Sequence, residues 1–400
     1  MGKPKVFFVR GTRNESVERL KQIAQVFYGL IQAPENMFES SAVIKTHVGE
    51  IDLDGTDLKT HTRPELVDAF GEVLRKHNAI DVVAADSLPT YTFGHRKTVD
   101  GHIRVATAHG FINDRIKTPF VVADAKGVKT LDNDRLGKVH IPQLFYDYAK
   151  AAGYVLMLTH FTGHELLVYG GALKNMGMGL VGKETKARIH GFKATVDLEK
   201  CIGCGECAPA CSYEAISYVD GPEHKLATVD IDKCLGCMGC LPSCGEHALG
   251  LDFKRLGDDD SAAGRAIYAT DSLIEGSYEA GKIWEPRHMF FGTDLTGITV
   301  FCDCDTQVLH KLQEGGGQQF LCKDIGYLAS TDPVALDQAC IDLVQQQMML
   351  EGAENPVERW HKLCHVMPNY FRRALTRQVE RAVELGMGQK EYELVTVQLH

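Results

Sequence analysis

The chain has no apolar run approaching the roughly 20 residues of a membrane-spanning helix, so no membrane partner is expected. Basic stripes and runs are missing too, and the net charge is −10, which argues against nucleic acid as a partner. Met1 leads straight into Lys5-Val6-Phe7-Phe8-Val9, too short for a signal-peptide core. No Gly-x-Gly-x-x-Gly fingerprint follows a strand. Gly177-x-Gly179 with Gly182 has the glycine spacing, but Asn175-Met176 before it is no strand, so nicotinamide binding has no support. Flavin stays open but unsupported, because its sites obey no single sequence rule. A zincin-type His-Glu pattern is also missing.

What the chain does hold is cysteine in a tight pattern. Eight of its 13 cysteines fall in two identical blocks, Cys201-x2-Cys204-x2-Cys207-x3-Cys211 and Cys234-x2-Cys237-x2-Cys240-x3-Cys244. Three sulfurs so spaced wrap one corner of an iron–sulfur cube, and the fourth belongs to the cube of the other block. The expected ligand sets for two [4Fe–4S] clusters are therefore Cys201, Cys204, Cys207 and Cys244, and Cys234, Cys237, Cys240 and Cys211. A pair of zinc knuckles is the alternative, but structural zinc prefers two separated Cys-x2-Cys pairs. Thiols kept as ligands point to a reducing, cytoplasmic setting.

The flanks repeat with the cysteines. Thr195-Val196-Asp197 and Lys200-Cys201 return as Thr228-Val229-Asp230 and Lys233-Cys234, a duplication with a period of 33 residues. Over roughly Ala194 to Asp252 the pattern resembles bacterial two-cluster ferredoxins. It departs where those proteins place Pro after the fourth cysteine: here Ser212 and Gly245 stand there, and Pro209 and Pro242 lie earlier.

Around this block the chain alternates strands and helices. Lys5–Val9, Ala42–Val48, Asp81–Ala85, Phe120–Ala123 and Tyr154–Leu158 read as strands, and Ile298-Thr299-Val300-Phe301 reads as another. Val17 to Leu30 keeps helical spacing. Thr62 and Glu65 around Pro64 form a capping box, and Asp332-Pro333 opens a further helix. A last helix is expected to end before Gly386. The expected fold is an α/β host with a mostly parallel sheet and an inserted α+β ferredoxin-like two-cluster domain. The division is 1–191 for the first part of the host, 192–255 for the insert and 256–400 for the second part. Whether the host is one domain or two lobes is left open.

Polar residues follow most strands: Lys45-Thr46-His47, Asp86-Ser87, Asp124, His160 to His164, and Cys302-Asp303-Cys304. Open α/β sheets bind ligands at the carboxyl ends of their strands, so these endings together suggest a site, although loops are polar everywhere. The glycine-rich run from His160 to Gly182 is the densest part. Gly170, Gly171, Gly177 and Gly179 would let backbone N–H groups form an anion nest, with Lys174 and Asn175 contributing charge and hydrogen bonds. His160 and His164 read as acid–base groups or metal ligands, or as structural histidines. Cys302 and Cys304, alternate residues at a strand end, could share a metal with Cys322 or react with substrate, or be a buried pair. Cys340 and Cys364 read as small core residues.

The run His160-Phe161-Thr162-Gly163-His164-Glu165 followed by Gly170-Gly171-Ala172-Leu173-Lys174-Asn175-Met176-Gly177-Met178-Gly179 resembles the hallmark of the domain-of-unknown-function family numbered 362. Lys45-Thr46-His47-Val48-Gly49-Glu50, Arg63-Pro64-Glu65, Tyr91 with Gly94-His95-Arg96, Ala108-His109-Gly110-Phe111, Cys302-Asp303-Cys304, Asp324-Ile325-Gly326, Ser330-Thr331-Asp332-Pro333 and Glu384-Leu385-Gly386-Met387-Gly388 are similar to its other motifs. The resemblance implies an iron–sulfur α/β protein of anaerobic or low-potential metabolism and names no substrate. The expected function is an oxidoreductase passing electrons through the two clusters to a strand-end site for a small anionic substrate or cofactor. A redox partner protein or low-potential donor would supply the electrons. The alternatives are an electron carrier or docking module, or a metal- or sulfur-handling protein. Oligomeric state is left open.

Overall fold

The computed structural model describes residues 2–31, 40–50, 60–90, 94–164, 167–252, 262–299, 320–363 and 368–399. The chain opens with β1 (Lys5–Arg10), α1 (Val17–Leu30), β2 (Ser41–Lys45), α2 (Pro64–Lys76), β3 (Asp81–Asp86), α3 (Val99–Ala108) and β4 (Phe120–Val122). A hairpin, β5 (Val128–Asn133) and β6 (Gly137–Pro142), leads through α4 (Gln143–Lys150) to β7 (Tyr154–His160). A shorter hairpin, β8 (Thr162–His164) with β9 (Val168–Gly170), precedes α5 (Ala172–Gly179) and α6 (Lys183–His190). The cysteine region carries β10 (Lys193–Val196), β11 (Ile216–Asp220), β12 (Lys225–Val229) and β13 (Leu249–Asp252). There follow α7 (Ala262–Lys282), β14 (Met289–Leu295), β15 (Gly326–Ser330), α8 (Pro333–Leu350), α9 (Pro356–Leu363), α10 (Pro368–Glu384) and β16 (Glu393–Thr396).

Eight strands form one sheet in the order β16-β1-β15-β14-β7-β2-β3-β4. All neighbours pair in parallel except β15, which runs antiparallel to both β1 and β14. Strands from both sides of the cysteine region therefore share a single sheet. Alternation along the strands separates two cores. Val6, Phe8, Val43, Val155, Met157 and Phe291 face one way, under Met176, Leu273, Ile274, Leu336 and Val379 of α5, α7, α8 and α10. Phe7, Val9, Ala42, Ile44, Leu156, Leu158 and Phe290 face the other, under Leu20, Phe27, Leu66, Phe70 and Val105 of α1, α2 and α3. The result is a three-layer α/β arrangement. Among the described residues, no helix is long and apolar enough to cross a membrane.

Two local expectations hold: Asp332 accepts the Val334 and Ala335 N–H groups at 2.9 Å to cap α8, and Gly386 follows α10 at φ 72°. The capping box at α2 does not form. Arg63 occupies the cap position without a side-chain bond, while Thr62 Oγ1 donates to Leu158 O at 3.3 Å and accepts from His47 N at 3.1 Å. A tertiary link to β7 has taken the hydroxyl that local spacing reserves for the helix. The strand expected at 298–301 is described only to Thr299, which bridges Phe320.

In the cysteine region β10 pairs with β13 and β11 with β12, both antiparallel, and its buried residues form a third, separate core. The 33-residue repeat becomes a spatial exchange of halves. Ala227 N donates to Cys201 Sγ at 3.4 Å and, one period away, Ala194 N donates to Cys234 Sγ at 3.4 Å. Gly203 and Gly236, at φ 65° and 72°, each lie so close to the other half that a Cβ would stand 2.0 Å from Lys225 O and 1.9 Å from Phe192 O.

Candidate functional site at the strand carboxyl ends

The chain leaves β2 through α2 on one face of the sheet and leaves β7 through α5 to α7 on the other. Diverging connections of this kind open a crevice between adjacent strand ends. A cavity of about 790 Å³, including space open to solvent, occupies this position. Its walls include Lys45 and His47 at the end of β2, Asp86 and Ser87 at the end of β3, Thr159 and His160 of β7, Arg96, Lys174, Lys186 and His190.

Asp86 is the hub of one wall. Its carboxylate accepts Lys45 Nζ at 2.9 Å, Ser87 N at 2.9 Å and Val48 N at 2.9 Å, and His102 Nε2 stands 3.6 Å away. Burial pushes the Asp86 carboxyl up, but the Lys45 ammonium and the nearby His102 ring outweigh it and hold the group well below the usual carboxylate range. Lys45 Nζ also donates to Thr46 O and, at 2.9 Å, to Asn175 Oδ1. The Asn175 amide nitrogen donates in turn to Thr159 Oγ1 at 3.1 Å. Asn175 thus lines the cavity while its amide is committed to holding Lys45.

Three cationic side chains, Lys45, Arg96 and Lys174, and the amine of Lys186 face one carboxylate, Asp86, among the described lining residues. Lys186 Nζ donates to Ser87 Oγ at 2.7 Å and to Leu88 O. Burial, helped by Lys45 and Arg96 and opposed by Asp124 and Asp86, pushes its amine down to about 8. One helical turn on, His190 Nδ1–H donates to Lys186 O at 2.9 Å, and burial first, then Lys174 and Lys186, lower its imidazole to about 4. At neutral pH this ring is uncharged and its Nε2 is an acceptor. His164 Nδ1 accepts the Leu167 N–H at 3.1 Å, so the neutral ring carries its proton on Nε2.

The sequence-derived residues His160, His164, Gly170, Gly171, Lys174, Asn175 and Gly179 all border this cavity. The glycine-rich run is not the loop expected of an anion nest. Residues 172–179 are the helix α5, and the Ala172 and Leu173 N–H groups at its start donate to the buried Asp337 carboxylate at 2.7 and 3.0 Å. An internal carboxylate has taken these two donors. Gly177 lies away from the cavity, against α7, where a Cβ would stand 2.5 Å from Leu273 O. Gly179, two residues on, borders the cavity, with a Cβ position 2.6 Å from Lys45 Nζ. Cys302, Cys304 and Cys364 fall outside the described residues; Cys322 and Cys340 are buried. Lys186 and His190 escaped the sequence reading because Lys183–His190 looks like an ordinary polar helix.

Two smaller voids lie in the cysteine region. One is bordered by Cys201, Cys204, Cys207 and Cys244, the other by Cys211, Cys234, Cys237 and Cys240. Each set of four surrounds a space; among the described residues, no three His, Cys, Asp or Glu side chains converge on a single metal-ion position. Backbone N–H groups donate to four of the sulfurs, with Ala215 N to Cys211 Sγ at 3.3 Å and Ala248 N to Cys244 Sγ at 3.2 Å as the other pair. Cys204 of the first void is exposed. The second void abuts the main body. Its Gly236 sits on Phe192 O, and the Phe192 ring stacks on His190 at 5.6 Å.

A crystal structure of a protein from Thermotoga maritima is similar at 8% identity with a TM-score of 0.39, covering 86% of this chain and 60% of that chain. No curated protein matched. The family described as Domain of unknown function (DUF362) matches residues 43–342, three quarters of the sequence and both walls of the cavity, and the chain belongs to that family.

Proposed function

We propose that the protein is an iron–sulfur oxidoreductase in which the two four-cysteine sets hold [4Fe–4S] clusters and the strand-end cavity binds a small anionic substrate or second cofactor. The ligand sets fit the group. Thiolates arranged around a space, each set crossing between the two blocks, suit a cube, whereas zinc would need four sulfurs about 2.3 Å from one point. Bound clusters would supply single electrons. The observation that carries the reading is a chain of contacts: the second void touches Phe192 through Gly236, Phe192 stacks on His190, and His190 borders the cavity.

The excess of cationic side chains selects an anion. The first void, with Cys204 exposed and Ile202 beside it more than half exposed, suits a redox partner protein that delivers the electrons. Anaerobically purified protein should carry about eight iron and eight sulfide. Its cluster paramagnetic signal should change when phosphate or malonate binds, and Lys174→Ala should abolish that change. Stoichiometric zinc without sulfide would overturn the clusters. Full clusters indifferent to every anion would leave the carrier reading in place of the enzyme.

A further inference from the structure

We propose that Lys186 is a nucleophilic amine that forms an imine with the carbonyl carbon of an anionic aldehyde or ketone bound in the cavity. This rests on the reading of the cavity as an anion site and names the class of anion.

The inference comes from comparing two buried lysines in one wall. Lys45 has three N–H donors and uses all three, on Thr46 O, Asn175 Oδ1 and the Asp86 carboxylate. That set suits an ammonium held beside its counter-ion. Lys186 donates to two acceptors, the Ser87 hydroxyl and the Leu88 carbonyl, and both are neutral. A neutral amine has two N–H bonds and a lone pair. Among the described residues the two bonds are satisfied, which leaves the lone pair available in a side chain that borders the cavity. Asp124 and Asp86 reach Lys186 only through space, while Lys45 and Arg96 oppose its protonation. A desolvated lysine beside other cations is the arrangement that makes an amine nucleophilic near neutral pH. The same cations hold a carboxylate or phosphate on the substrate.

The step balances without an oxidant or reductant. The Nζ lone pair forms a C–N bond with the carbonyl carbon, and the carbonyl π pair moves to oxygen, which takes up a proton. Ser87 Oγ, 2.7 Å from Nζ, accepts from the amine and gives its own proton to Gly179 O at 2.7 Å, so it orients the nitrogen, and solvent in the open cavity carries the proton from nitrogen to oxygen. The carbinolamine hydroxyl then takes a proton from solvent and leaves as water, while the nitrogen lone pair forms the C=N bond of the protonated imine.

Glyoxylate with cyanoborohydride tests this on the whole anaerobic protein at pH 7, because reduction fixes the imine as a carboxymethyl-lysine that peptide mass mapping locates. Lys186 should be labelled at least about tenfold faster than the exposed Lys362 and Lys233, because its buried amine holds the larger lone-pair fraction. Malonate should slow labelling of Lys186 and leave the two exposed lysines unchanged. Labelling of Lys186 no faster than of Lys362 would overturn the inference. Malonate binding is followed separately by thermal shift, so intact binding with no preferential labelling removes the imine and spares the anion site; no binding removes both.

Discussion

Lys45 Nζ and Asp86 Oδ1 lie 2.9 Å apart with side chains 1% and 5% exposed, joining the ends of β2 and β3 at the mouth of the sheet. Removing one partner of a buried pair strands the other charge, which costs about 3–5 kcal/mol. Asp86→Asn should therefore lower the urea midpoint strongly, and Lys45→Met with Asp86→Leu should be milder than either single change. The Asp86 carboxyl titrates below its unfolded range, so the stabilisation is complete above about pH 4 and is lost as pH falls through the folded value. Urea melts from pH 7 downward should show this acid slope, reduced in Asp86→Asn. An unchanged midpoint would mean the pair holds nothing together.

Gly177 and Gly179 should respond in opposite ways to the same added methyl. At Gly177 it meets Leu273 O and Ser277 Oγ, both 2.5 Å away. Gly177→Ala should destabilise the fold by about 1–3 kcal/mol and leave malonate affinity intact. At Gly179 the methyl meets Lys45 Cε at 2.4 Å, so Gly179→Ala should weaken malonate binding by about tenfold, roughly 1.4 kcal/mol. Calorimetric titration beside thermal melts separates the two, and equal loss of affinity in both would refute the packing role of Gly177.

Asp337 gives the protein a second pH dependence. Burial raises its carboxyl to about 7, against the Leu173 and Ala172 N–H groups that favour the charged form. The folded state then holds a proton that the unfolded chain releases near pH 4, so stability falls as pH rises from about 4 to about 7, by at most about 1.4 kcal/mol per pH unit. Asp337→Asn should remove that decline. A parent protein whose stability is flat across this window would show that the carboxylate is already ionised there.

Crossed ligation makes the cysteine variants diagnostic. Cys211 borders the void of Cys234, Cys237 and Cys240, and Cys244 borders that of Cys201, Cys204 and Cys207. Cys211→Ser should perturb the paramagnetic signal of the second cluster and Cys244→Ser that of the first. The opposite assignment would mean that each block holds its own cube.

Sequence alone determined whatever depends on short-range periodicity and spacing. The strands β1, β2, β3, β4 and β7, the helices α1 and α2, the Asp332 cap, the 33-residue repeat and the cysteine sets all follow from residues within a few turns of one another or from an exact duplication. The strand-end location of the cavity followed from a general property of parallel sheets, and His160 and His164 could be placed beside it because they end or follow a strand. Long-range partners were beyond its reach. Thr62 reads as a helix cap and is taken by Leu158; the α5 N–H groups read as an anion nest and are taken by Asp337, 164 and 165 residues away. Gly177 and Gly179 are indistinguishable in sequence, and only the packing of α7 on one side and Lys45 on the other separates them. Lys186 illustrates the division most plainly. Its residue type fixes an amine, but the burial that lowers its charge and the neutral acceptors that satisfy its two N–H bonds exist only once β3, α5 and α6 have packed, because desolvation belongs to the folded assembly and to no local stretch of chain.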